Sequence, residues 1–89
     1  MKIDAEVSLY RLRNEDLSRS IGCFLNQLQE AGLTVEPGPM SSHLKGECAD
    51  LFGAVGNAFE RSAEEGDVVL VMKVSNACGS PGNREDDEK

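Results

Sequence analysis

The residues that could do chemistry are few. His43 is the only histidine, and Cys23, Cys48 and Cys78 are the only thiols. Nucleophilic catalysis needs a serine or cysteine beside a base that a third group orients. No local signature of such a pairing surrounds His43 or the cysteines. Cys78, after a polar turn, is one candidate nucleophile. Counting by alternation from Val74 gives the other reading, an inert thiol facing a helix layer. The run "GSPG" at 79–82 is no phosphate loop, because it lacks the lysine and no helix follows. Carboxylates are numerous, yet the sequence places no two of them as acid and base. The cysteines are odd in number and have no metal-like spacing. The expectation is a protein that is not an enzyme, with no catalytic residue, metal or cofactor.

What remains is binding. The chain has 89 residues and a net charge of -7, so it reads as one small domain with a thin core. Nucleic acid and anionic lipid both select basic surfaces, so neither is an expected partner. No apolar run reaches membrane-spanning length. The start "MKIDAEVSLY" has no apolar stretch of the signal-peptide kind. A reduced, cytoplasmic protein is expected. Residues 1–82 form the expected domain, and the acidic stretch 83–89 an expected flexible tail.

Six elements must position any binding residues. "KIDAEVSLYRL" alternates: Ile3, Ala5, Val7 and Leu9 point one way, and Asp4, Glu6, Ser8 and Tyr10 the other. That is a strand with one face on a core. "NEDLSRSIGCFLNQLQEAG" has helical period, with Leu17, Ile21, Phe24, Leu25 and Leu28 in one stripe. Asn14 or Asp16 would cap its start, and Gly32 suits the position just past its end. "LTVE" and "MSSHLKG" are short strands around "PGP", whose two prolines fix φ and pre-form a reversal. "CADLFGAVGNAFERSAEEG" is a second amphipathic helix, with Leu51, Phe52, Val55 and Phe59 in its stripe and Ala58 beside it. "DVVLVMKVSNAC" is the most apolar strand and reads as central. The order β-α-β-β-α-β, an α+β class, predicts a ferredoxin-like fold: a four-stranded antiparallel sheet with two helices on one face. The first and last strands are expected at its centre.

Such a fold covers one sheet face. The other would carry Glu6, Ser8, Tyr10, Val69, Val71, Lys73 and Ser75, with Ser41, His43 and Glu36 from the hairpin. These can be ordinary outward residues of an antiparallel sheet. As a set, they mix valines with hydroxyls, acids and an imidazole, which suits self-association around a polar pocket.

The segments "EVSLYRL", "VEPGPMSS", "KGE" and "VMKVSNAC" resemble the small thiamine-binding proteins related to the hydroxymethylpyrimidine/thiamine carrier YkoF. The resemblance runs to about Cys78. Ser42 stands where the family has threonine, and Gly79 and Ser80 intervene before its Pro-Gly. The resemblance implies a sheet-to-sheet homodimer or homotetramer. It also implies binding of thiamine or its pyrimidine moiety without catalysis. It points to Ser8 and Tyr10, Met40 and Ser41, and Ser75 and Asn76 as ligand contacts. Glu6 and His43 share their expected face, and Glu6 or Tyr10 could hold a thiazolium cation. The "PGP" turn would then aim Met40 and Ser41 at the pocket; alternatively, Met40 plugs the hairpin end of the core. Two other functions compete. One is an oligomeric interaction or regulatory module for another effector or protein partner. The other is a small enzyme using His43 or Cys78.

Overall fold

The computed structural model describes residues 1–12 and 17–77, with side chains given for 1–12 and 21–77. The expected caps Asn14 and Asp16, the Leu17 side chain, Cys78, the turn at 79–82 and the tail 83–89 lie outside the described residues. The elements are β1 (Lys2–Arg11), α1 (Leu17–Glu30), β2 (Thr34–Glu36), β3 (Ser42–Glu47), α2 (Cys48–Ala63) and β4 (Val68–Ser75). They build the expected ferredoxin-like α+β arrangement, with antiparallel pairing throughout.

Strand order corrects one expectation. The sheet runs β2-β3-β1-β4, so β1 and β3 are central and β4 is an edge. The apolar run of β4 arises from two apolar faces, not from two paired edges. Val68, Leu70 and Met72 pack against the core. Val69 and Val71 lie on the other face and are 42% and 49% exposed. Val74 was expected under the helices but is exposed too, because the strand runs past their cover.

Below the sheet, Ile3, Ala5, Val7 and Leu9 of β1 meet Leu44 of β3, Phe24 and Leu28 of α1, and Leu51, Val55 and Ala58 of α2. Burying one such large side chain contributes roughly 1.5–3 kcal/mol. The α1 stripe holds as expected, with Ile21 and Leu25 packed at the core margin. The α2 stripe is narrower than its sequence suggests. Leu51, Val55 and Ala58 follow the four-then-three spacing of one face, whereas Phe52 lies about 100° around the helix and is half exposed. Phe59 is half-buried. Gly53 and Gly56 face open space, so neither is needed for close packing.

The end of α1 sets where the hairpin begins. Gly32 has φ +97°, its N–H donates to the Gln29 carbonyl, and the Leu33 N–H donates to the Leu28 carbonyl at 3.3 Å. These are the two bonds of a Schellman motif, and they bring buried Leu33 against buried Leu28. Leu33 is a core residue that the helical stripe did not reveal. Its side chain needs Gly46, where a Cβ would come within 2.6 Å of Leu33 Cδ2. Gly32→Ala forces an L-residue into left-handed backbone and should cost roughly 1–2 kcal/mol. A denaturant unfolding midpoint unchanged from wild type would contradict this.

Candidate functional site

The phase of β1 decides which side chains meet. Its odd residues serve the core, so Asp4, Glu6, Ser8 and Tyr10 stand on the open face. The ladders then place His43 and Lys73 on either side of Glu6, Val71 beside Ser8, and Val69 beside Tyr10. The open face therefore has two ends of different character.

At one end lies a cleft of about 370 Å³ lined by Asp4, Ala5, Glu6, His43, Lys73, Val74 and Ser75. His43 Nε2 lies 3.3 Å from Asp4 Oδ1, and Lys73 Nζ lies 3.7 Å from Glu6 Oε1. Glu6, His43 and Lys73 are about half exposed or more and only Asp4 is partly covered, so each pair contributes roughly 0–1 kcal/mol. Their effect is to orient two carboxylates among two basic side chains. Ser75 Oγ accepts the Ala77 N–H at 3.0 Å, which turns the chain away from the sheet.

The other end is less charged. Residues 38–42 run beside β1 beyond its last pair with β3 and enclose a cleft of about 270 Å³ that reaches both sides of the sheet, with Ser8 and Tyr10 from the open face and Val7, Leu9 and Ile21 from the helix side. Ser8 Oγ donates to the Met40 carbonyl at 3.4 Å, tying the turn to the central strand. Met40 is 87% exposed; it borders the cleft and does not plug the core. Tyr10 is half exposed beside it. Ser42, paired with Val7 and in phase with Leu44 on the helix side, is buried and also lines the cleft. Gly38 is required by space, since a Cβ there would lie 2.5 Å from the Ser41 carbonyl oxygen.

The expected site residues thus fall into two groups. Ser8, Tyr10, Met40 and Ser41 come together around the turn. Glu6, His43 and Ser75 gather at the charged end. Asn76 is exposed beyond β4 and lines neither cleft. Asp4 was not singled out, although alternation already put it on the face of Glu6. Its meeting with His43 depends on the β1–β3 register, which the sequence does not print. Sequence reasoning also missed Arg11, which points into the covered side and bonds Glu65 at 3.0 Å. Among the described residues, no three potential ligand side chains converge as a metal site.

The sequence profile of the YKOF-related family matches residues 2–83. Several solved structures share the fold. A protein from Streptococcus pneumoniae has a TM-score of 0.79 at 24% identity, with 100% of each chain covered. A hypothetical protein from Methanocaldococcus jannascii has a TM-score of 0.78 at 21% identity, covering 98% of this chain and 95% of its own. A third, from Thermotoga maritima, is named a "putative thiamine biosynthesis/salvage protein"; it has a TM-score of 0.77 at 15% identity, with 100% of each chain covered. No curated protein matches the sequence.

The turn is the site's most shape-sensitive part. Gly38→Ala must displace the Ser41 carbonyl, which is backbone and cannot swing aside. The variant should keep its fold but show altered amide shifts across residues 38–42 and Ser8. An amide spectrum unchanged in that stretch would contradict the geometry.

Proposed function

The chain belongs to the YKOF-related family, and we propose that it binds thiamine, or its hydroxymethylpyrimidine half, without transforming it. The observation that carries this reading is the meeting of Ser8, Tyr10, Met40 and Ser41 in one cleft from two distant chain segments. The name of the Thermotoga maritima neighbour agrees with it.

An aminopyrimidine presents an amine with two donors and ring nitrogens that accept. Ser8 Oγ already donates to Met40, so its lone pairs are left to accept from the amine, while Ser41 can donate to a ring nitrogen. The Tyr10 ring and the Met40 thioether offer polarisable faces for stacking. Glu6, one pleat along the same face, supplies a carboxylate for a thiazolium cation. Drug-sized ligands occupy pockets of roughly 300–1,000 Å³. A cleft of about 270 Å³ therefore suits a single ring, and cover from a second sheet completes it.

That cover is a second copy. Packing two open faces together buries Val69 and Val71 with Ser8, while Lys73 and Glu6 reach water at the rim. The protein then serves as a cytoplasmic carrier or buffer of the vitamin. The competing reading, a module that uses this face only for a protein partner, draws on the same exposed valines.

Isothermal titration with thiamine, its phosphates and hydroxymethylpyrimidine separates the two. Saturable heat is expected with thiamine or the pyrimidine. Ser41→Ala should weaken binding up to about tenfold, since one neutral hydrogen bond contributes roughly 0.5–1.5 kcal/mol. Absence of both heat and thermal shift at millimolar ligand would overturn this reading in favour of the module.

A further inference from the structure

The ladder between β1 and β3 stops short of Leu9. Its last pair is Val7 with Ser42, whereas β1 stays paired with β4 as far as Arg11. Two bonds set the main-chain phase of β1. The Leu12 N–H donates to the Asp67 carbonyl on the β4 side, and the Cys48 N–H donates to the Met1 carbonyl on the β3 side. Hydrogen-bonded pairs recur every second residue along an antiparallel ladder. Even residues of β1 therefore bond toward β4, and odd residues toward β3.

Leu9 is odd. One more bonded pair would join it to Met40, since that pair follows Val7 with Ser42 in register. Instead the Met40 carbonyl accepts from the Ser8 hydroxyl at 3.4 Å. Among the described residues, the Leu9 N–H and C=O take no hydrogen bond. Leu9 is only 5% exposed, yet it lines the turn cleft with Ser8, Tyr10 and residues 38–42. A donor and an acceptor side by side on a buried residue, both without a protein partner, are rare in folded chains.

We infer that, given the thiamine-binding reading on which this rests, the gap in the ladder reads the ligand's ring edge: the Leu9 main chain selects an amine standing next to a ring nitrogen. An extended residue presents its N–H and C=O toward the same strand edge. A 4-aminopyrimidine presents the complement in one plane, a ring nitrogen that accepts and an amine that donates. Seated in the gap, the ring accepts the Leu9 N–H and donates one amine proton to the Leu9 carbonyl. It takes the place of the missing pair with Met40. The second amine proton and the far ring nitrogen remain for the Ser8 and Ser41 hydroxyls. A ring without the amine leaves the carbonyl unpaired, and a site with a buried polar group left unpaired rejects such a ligand. The thiazole half of the vitamin has no such edge, so the pyrimidine half carries the selectivity.

The test is nitrogen-15 amide spectroscopy of the full-length wild-type chain. Without ligand, the Leu9 N–H should exchange with deuterium faster than those of Ser8 and Tyr10, which bond to β4. Hydroxymethylpyrimidine at about ten times its dissociation constant should slow that exchange about tenfold and move the Leu9 proton downfield. The same ring lacking its 4-amino group should bind about tenfold more weakly or worse. A Leu9 N–H that exchanges as slowly as its neighbours in the free chain overturns the gap itself. Saturable heat with a Leu9 proton that neither moves nor slows overturns the edge reading and leaves vitamin binding standing. Absence of heat and of any amide shift at millimolar hydroxymethylpyrimidine and thiamine overturns both.

Discussion

Alternation along β1 is the constraint on which the rest depends. The strand is hydrogen-bonded on both edges, to β3 and to β4, so its phase is shared by the sheet. Ile3, Ala5, Val7 and Leu9 are nearly fully buried, and their neighbours are thereby fixed on the open face. A slip of one residue would press Asp4 and Glu6 into the helix layer and expose four core side chains. Burying even one unpaired carboxylate there would outweigh what the correct register gains at a single apolar position. The only charge that β1 sends inward is Arg11, at the strand's end, and it meets Glu65 there.

The site inherits its layout from that phase. The charged end of the open face is assembled by cross-strand neighbours alone, as His43, Glu6 and Lys73 stand in one row. The less charged end needs a second device, the turn between β2 and β3. Its prolines stiffen the chain, Gly38 lets it fold tightly, and the Ser8 hydroxyl anchors it at Met40. The turn's starting point is set in turn by the Gly32 stop of α1, which seats Leu33 in the core. A core contact, a helix cap and a surface cleft are thus mechanically linked within a few residues.

Much of this is legible in the sequence, because period and punctuation are local. The strand phase of β1, the α1 stripe, the Gly32 cap and the Pro-Gly-Pro reversal can all be read directly. Strand order is not local. Val68–Val71 looks like an interior strand, and only the pairing shows that one of its edges is open. Phe52 misleads for another reason: a large apolar residue next to Leu51 looks like core until the helix rotation is counted. The site residues were found as types, but their division into two clefts depends on registers between segments more than thirty residues apart. Asp4 and Arg11 are not singled out by the sequence because their partners, His43 and Glu65, lie 39 and 54 positions away in the chain.

Methionine methyl groups provide a direct readout of the account. Met40 is exposed at the rim of the turn cleft, while Met72 packs on the covered side of the sheet. In a carbon-13 methyl-labelled sample titrated with thiamine, the Met40 signal should shift saturably and the Met72 signal should stay in place. A Met40 signal that stays fixed at millimolar thiamine, or a shift confined to Met72, would contradict binding in the turn cleft.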